Sequence, residues 1–369
     1  MRHEEKTLRK VQVLVLGDSF NNTLGLIRSL GETGVRPVLI LIGDDRLFIS
    51  KSRYIDKVFQ LDNLSSAFIL LKELSTELNG AYLICSNDAA AEFIDDNESI
   101  LSKWYITPMR GEKIGNLFEK ENQCELASEC GVTIPFSFKQ RPSDKLPDIK
   151  QFPVLIKPND SNYGSKSDIH ICRNSKELTE ILATSTGCPE FIIQEYIEKE
   201  YEINLIGVAS PNEIYIPGGI KKLRHYPTLQ SPCSFGVYLP IKDLPVNLEP
   251  LITFVKKTGY NGPFSIELLH AKDKNFFMEM NFRHDGLAYA ATAAGFNLLD
   301  CFINDNPKKK YSVHKTYMMD ISTDYCHVKN GDLSKRKWFK DFIRTKCQLN
   351  FNLKDPVPTL SYYLNKLKH

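Results

Sequence analysis

A short apolar run at residues 11–16 sets the architecture of this chain. It ends in Gly17-Asp18-Ser19, and after Asn22-Thr23 come Leu24, Ile27 and Leu30 at helical spacing. Gly31 and Gly34 close that segment, and residues 38–42 form a second apolar run, so the pattern reads strand, helix, strand. Strands apolar along their length must be covered on both faces, which requires a parallel sheet flanked by helices. The glycine fingerprint of a dinucleotide site is absent, because the turn reads Gly17-Asp18-Ser19-Phe20-Asn21-Asn22. Residues 81–85 form another buried strand, with Ser86-Asn87-Asp88 at its carboxyl end, where open α/β sheets bind ligands.

This unit is expected to end near Pro108, and a helix over residues 113–129 leads out of it. From Pro153 onward the signal changes to runs of strands: 154–156, 169–172, 191–194, 202–208, 214–216, 264–269 and 276–283. That is an α+β unit following an α/β one, and 369 residues accommodate two or three such units.

With 47 Lys and Arg against 45 Asp and Glu, the net charge of +2 gives no global field of the kind nucleic-acid binders carry. The balance is uneven, however: from Lys308 to His369 there are fourteen Lys or Arg against five Asp. Within that tail, residues 335–346 read as an amphipathic helix whose apolar stripe, Trp338, Phe339, Phe342 and Ile343, is expected to pack on the body, with membrane-surface contact as the competing use. Nine cysteines without a CxxC pair suggest a reducing compartment. The N-terminus lacks a signal-peptide core and no stretch is long enough to span a bilayer, so the expectation is a soluble cytoplasmic protein without stable membrane insertion.

The strongest chemical signal is Phe276-Phe277-Met278-Glu279-Met280-Asn281-Phe282-Arg283. Strand alternation puts Phe276, Met278, Met280 and Phe282 on a core face and Glu279, Asn281 and Arg283 on a polar one. A hairpin centred near Asp273 brings Glu267 opposite Glu279. Two facing carboxylates repel unless a cation lies between them or one is protonated, and Mg²⁺ takes such oxygens together with phosphate and water. Asn281 would add a neutral oxygen and Arg283 would grip phosphate. A second signal is Lys157 at the end of an apolar strand, followed by the small, polar segment 159–167 suited to phosphate. A third is residues 191–197 with Glu202 beyond, where an extended backbone can bond an adenine edge and a carboxylate can accept from ribose.

In this order and spacing, the segments resemble the ATP-grasp superfamily. Within it the chain looks most like predicted carboxylate-amine ligases that include D-aspartate ligase, through Arg28-Ser29-Leu30-Gly31, Lys222-Leu223-Arg224-His225-Tyr226-Pro227 and Asp355-Pro356-Val357-Pro358. The resemblance implies a Rossmann-like pre-ATP-grasp domain over 1–107 and an ATP-grasp domain over 108–310, with a lid at about 135–193 and a central antiparallel sheet. A basic extension packed on the body would occupy 311–369. It implies ATP held by Lys120, Lys157, Gly164, Ser165, Gln194, Glu195, Tyr196, Ile197 and Glu202, and one or two Mg²⁺ (or Mn²⁺) held by Glu267, Glu279 and Asn281. Arg283, Lys222 and Arg224 would act on the transferring phosphoryl group.

The implied reaction activates a small-molecule carboxylate as an acyl phosphate, releasing ADP and phosphate, for attack by an amine. The alternatives are an ATP-grasp kinase acting on a hydroxyl, or a nucleotide-binding module without turnover. The acceptor side is open to Ser86-Asn87-Asp88, to residues 231–236 and to His284-Asp285-Gly286, with His225 or His284 as candidate proton acceptors; for both histidines a structural role is favoured. A homo-oligomer is compatible with the sequence.

Overall fold

In the computed structural model, which describes residues 11–110, 112–158, 169–184, 188–228, 231–304 and 311–367, the first apolar run becomes β1 (Val13–Gly17). It is joined by β2 (Val38–Ile42), β3 (Lys57–Leu61) and β4 (Tyr82–Cys85) in a parallel sheet of order β3-β2-β1-β4. Strand β3 is at the sheet edge and half-exposed, which is why its sequence, KVFQL, lacks the apolar signature of its neighbours. The helix Asn21–Glu32 buries Leu24, Ile27 and Leu30 as their spacing predicts. Gly17 is required where β1 and β4 converge, since a Cβ there would lie 1.9 Å from Ser86 Oγ.

The helix expected over 113–129 is split. A tight turn at Gly115–Phe118 comes first, Glu119 is extended, and the α-helix proper opens at Lys120 and runs to Glu129. Next come β5 (Ser137–Gln140), β6 (Val154–Pro158), β7 (His170–Cys172), the helix Ser175–Thr184 and β8 (Phe191–Glu195). These strands make an antiparallel sheet of order β5-β8-β6-β7, with a small core of Val154, Ile156, Phe191 and Ile193 against Leu178 and Leu182.

The third sheet contains β9 (Tyr201–Ala209), β10 (Ile214–His225), β11 (Cys233–Pro240), β12 (Pro263–Ala271), β13 (Lys274–Asn281), β14 (Thr316–Met319) and β15 (Thr345–Gln348). Its order is β13-β12-β9-β10-β11-β14-β15, antiparallel except for the last pair. Strand β10 runs well past residue 216 because a register shift between Tyr215 and Gly218 absorbs Pro217, which has no N–H to give the ladder. Residues 233–236, expected in a loop by the acceptor, are instead the first half of β11.

One face of this sheet buries Ile203, Leu205, Ile266 and Leu268, and the other buries Ile206, Val208, Ile220 and Tyr238 in a cluster that includes Leu24 and Ile27 of the first helix. The first helix thus shares a core with the face where Glu202 and Asn204 precede Ile206 and Val208 at alternate positions of β9, while Leu14, Leu16 and Leu83 of the parallel unit belong to the core of the opposite face. The C-terminal segment closes the arrangement. Arg28 Nε lies 3.2 Å from Asp355 Oδ2 with both side chains fully buried, and Arg28 Nη1 donates to the Leu349 carbonyl at 2.9 Å. The segments Arg28-Ser29-Leu30-Gly31 and Asp355-Pro356-Val357-Pro358 therefore meet through one buried ion pair.

The amphipathic helix forms at Lys335–Arg344, but its apolar stripe is only partly covered. Trp338 and Phe342 are half-buried and stacked at 5.3 Å, whereas Phe339 is 57% and Ile343 67% exposed. The buried residue of this helix is Asp341. Among the described residues no helix is long and apolar enough to cross a membrane.

Candidate active site

The β12–β13 hairpin turns through Lys272 and Asp273, both at positive φ (49° and 59°), a two-residue geometry that matches strand twist. Its register pairs Glu267 with Glu279, and on the other side Glu267 pairs with Asn204 of β9. Cross-strand partners share a face, so the two carboxylates and this amide form one row. The expected core face of β13 needs correction. Phe277, fully buried, takes the place assigned to Phe276 and Met278, because a bulge between Phe277 and Glu279 inserts Met278 as an extra residue and reverses the alternation on either side of it.

Each carboxylate in the row has a lysine. Lys120, the first residue of its helix, forms an ion pair with Glu279. Lys222 Nζ sits 2.8 Å from Glu202 Oε2 and 3.0 Å from Glu267 Oε2, and Lys199 also reaches Glu202. Burial by itself would lower the Lys222 pKa, but the two carboxylates raise it above its ordinary value. Burial raises the Glu267 carboxyl, Lys222 opposes this, and Glu279 and Asp285 add to it, leaving it above the usual range. Glu202, despite its burial, is drawn below that range by Lys222 and Lys199.

Lys157, near the end of β6, differs from these lysines. Burial and then the neighbouring Lys120 depress its pKa, and it has no ion-pair partner among the described residues.

Arg283 lies just past β13. Its Nε and Nη2 donate to Asp88 at 2.7 and 3.2 Å, Nη2 also donates to Asn281 Oδ1 at 2.8 Å, and Nη1 is 3.6 Å from Asp285 Oδ2. Asp285 accepts from Asn204 Nδ2 and Ser265 Oγ, both at 3.1 Å, and Asn281 donates to Ser265 Oγ at 3.2 Å. The turn after β4 and the end of β13 thus come together. The Asp18 carboxyl, at the end of β1, is raised by burial and opposed by Asn87 and Arg283. Of the candidate proton acceptors, His284 is fully buried and pushed down to about 4 by that burial, and His225 Nδ1 lies 2.8 Å from the Ser231 carbonyl.

Arg224 is not brought into this group. A bulge at Leu223 sets Lys222 opposite Gly236 but Arg224 opposite Phe235, so residues two apart in sequence lie on opposite faces of the sheet. Its guanidinium lies 4.0 Å from the Phe235 ring centre, donates to both oxygens of Asp324 at 2.9 and 2.8 Å, and to Asp341 at 2.6 Å.

Gln194 and Glu195 lie in β8. The Glu195 N–H bonds to the Phe136 carbonyl at 2.7 Å and the Tyr196 N–H to the Pro153 carbonyl at 3.1 Å, while Ile197 is buried. Gly164 and Ser165 fall outside the described residues. Two further residues of the group, Asn204 and Lys199, are not among those the motifs single out. Asn204 was within reach of strand alternation, two residues after Glu202; Lys199 has no such signal.

The donor set fits a divalent cation only in part by itself. Among the described residues no group of three or more His, Cys, Asp or Glu is placed to hold a metal ion. Glu267 and Glu279 are nonetheless adjacent, and Asn204 Oδ1 beside them is buried without a hydrogen-bond partner. Two carboxylates and an orphan oxygen are the incomplete oxygen set Mg²⁺ adopts when phosphate and water supply the remainder.

No family model and no curated protein matches the sequence. Solved structures do match. An L-amino acid ligase from Bacillus licheniformis is 14% identical, with 82% of this chain and 75% of that one covered at a TM-score of 0.56. An N5-carboxyaminoimidazole synthetase from Staphylococcus aureus is 12% identical over 87% and 85% at 0.63. A phosphoribosylglycinamide synthetase from Anaerococcus prevotii is 16% identical over 83% and 79% at 0.60. At such identities the shared property is the fold alone, and all three of these structures are of ligases or synthetases. On that fold this chain carries a face where Lys120, Lys199 and Lys222 pair with Glu279, Glu202 and Glu267.

Proposed function

We propose that this protein is an ATP-dependent carboxylate-amine ligase acting on small molecules. The observation that carries the reading is Lys157: a half-buried ammonium depressed by its burial and by a second lysine, with no ion-pair partner among the described residues and only weaker opposition from Glu279 and Glu121. A polyphosphate is the group such a pair would favour. One structural neighbour, a carboxyaminoimidazole ribonucleotide synthetase, was solved as an ADP complex, which accords with a nucleotide here.

Lys120 and Lys157 would hold the phosphates, with Glu202 and the extended segment of Gln194, Glu195, Tyr196 and Ile197 at the nucleoside. The N–H of Tyr196 is committed to Pro153, so an adenine edge would use the remaining backbone groups of that segment. Glu267, Glu279 and the Asn204 oxygen would hold Mg²⁺, with Asn281 acting through Arg283. Bound Mg·ATP supplies an electrophilic phosphoryl group and the cation that shields it. Lys222 and Arg283 would neutralise charge as a carboxylate oxygen takes that group, and low local polarity strengthens each contact. Asp88, Asp285 and Asp18 ring Arg283 and would face the acceptor, where an amine nucleophile finds carboxylates to orient it. No cysteine is needed, and among the described residues all nine are free thiols.

The test is a panel of carboxylates with Mg·ATP, with hydroxylamine in place of the amine. The expected products are ADP, phosphate and a hydroxamate. A stable phosphoester without hydroxamate would identify a kinase, and AMP with pyrophosphate would refute acyl-phosphate chemistry.

A further inference from the structure

The protein's exposed apolar side chains gather in one segment. Of sixteen exposed large hydrophobic residues among the described residues, nine lie between Tyr325 and Leu367. The same stretch of chain holds the positive excess, with fourteen Lys or Arg against five Asp and no Glu from Lys308 to His369, although the whole chain is only +2.

The helix Lys335–Arg344 shows how the two properties combine. Its inner side is fixed: Trp338 and Phe342 are half-buried, and Asp341 is held by Arg224 at 2.6 Å and by Arg344 at 2.8 Å. The outer side is Arg336, Phe339, Lys340 and Ile343, spaced as neighbours on one helical face and all exposed. Lys335, Arg336, Lys337 and Lys340 have no ion-pair partner among the described residues. On the helix Val357–Lys366, Leu360 and Leu364, one turn apart, are 52% and 60% exposed.

We propose that the outer face of helix Lys335–Arg344 docks reversibly on an anionic phospholipid surface. Basic side chains draw such a helix to acidic headgroups while apolar ones between them enter the headgroup boundary. The interleaving argues against a protein partner, because protein interfaces exclude lysine from their centres. A nucleic acid would satisfy the charges but leave Ile343 in water. The proposal goes beyond the ligase reading and does not depend on it.

The full-length protein is sedimented with phosphatidylcholine vesicles, and with vesicles containing about 30 mol% phosphatidylglycerol, at low and high salt. Retention is expected on the anionic vesicles at low salt, at least about tenfold stronger than on neutral ones, and is lost at high salt. The double variant Phe339→Asp/Ile343→Asp and the variant Lys335→Glu/Arg336→Glu/Lys340→Glu should each reduce retention at least about tenfold. Both alter only exposed positions, and an unchanged melting temperature reports the intact fold. Equal retention on both vesicle types, retention on neither, or indifference to both variants overturns the proposal. So does a stable dimer that Phe339→Asp/Ile343→Asp converts to monomer, because a second copy would then cover this face.

Discussion

Replacing Lys222 with methionine removes the one ammonium that Glu202 and Glu267 share. Lys222 is 9% exposed, Glu202 13% and Glu267 30%. Removing one partner of a buried ion pair costs about 3–5 kcal/mol. Two features of the site reduce that figure: Glu202 keeps Lys199, and Glu267 is open enough for water to replace part of what it loses. The expected loss at neutral pH is therefore about 2–4 kcal/mol. In the wild type the depressed Glu202 pKa contributes stability that is present above the unfolded carboxyl value, near 4.3, and lost as pH falls through the lower folded one. The raised Lys222 pKa contributes stability present below the unfolded lysine value, so it persists throughout this window. Without Lys222 both carboxyl pKa values rise, and the penalty for burying them charged disappears as they take up protons. Urea denaturation of both proteins from pH 7.5 down to about 4.5 should thus show a deficit that is largest at the alkaline end and shrinks steadily toward the acid end. A deficit below about 1 kcal/mol, or one independent of pH, would refute the charge assignment.

Glu279→Gln should reduce metal-dependent ATP turnover at least about 100-fold, yet change unfolding free energy by about 1 kcal/mol or less because its partner Lys120 is 67% exposed; parallel turnover and denaturation measurements check both. Asp355→Ala should cost about 3–5 kcal/mol in denaturation, since it strands the fully buried Arg28, and a loss under about 1 kcal/mol would sink the reading of that pair as the link between the first helix and the C-terminal segment. Burial pushes His284 down to about 4, so it is neutral in the fold; stability should be full above the unfolded value of 6.5 and decline as pH falls from there toward 4. His284→Gln should flatten that part of the pH profile, by up to about 3 kcal/mol, as followed by thermal melts.

What the sequence disclosed and what it hid differ by the range of the interaction responsible. A hairpin near Asp273 was local, but the facing of Glu267 and Glu279 was not: the turn pairs Ala271 with Lys274, and only the extra residue at Met278 brings Glu279 opposite Glu267. The extra residues at Met278 and Leu223 and the shift at Pro217 depend on how a strand meets its neighbour, and only the proline has a residue signature. Two of them changed where a residue lies: the first put Phe277 in the core in place of Phe276, and the second sent Arg224 to the far face. Strand β11 was hidden because its serine and glycine look like a loop until flanking strands cover them. The amphipathic helix was legible as a helix, but not the side it would bury, since Asp341 is drawn inward by an arginine more than a hundred residues away.

The lysines that the fold sets on its own carboxylates also bear on how a ligand would enter. If the carboxylates receive a divalent cation alone, Lys120 and Lys222 lose the anions that balance them. If the lysines receive polyphosphate alone, Glu267 and Glu279 are left facing one another beside added negative charge. Of the liganded states, only the one that holds both leaves every charge on the face with an opposite neighbour. Each ligand removes the cost the other would impose, and that is the condition for positive coupling between two binding events. The raised carboxyl of Glu267 belongs to the same balance: burial raises it, Glu279 and Asp285 add to that, and Lys222 does not fully offset them. On this reasoning the lysines and glutamates of the face would select the metal–nucleotide complex over either component, through residues that already neutralise one another when no ligand is bound.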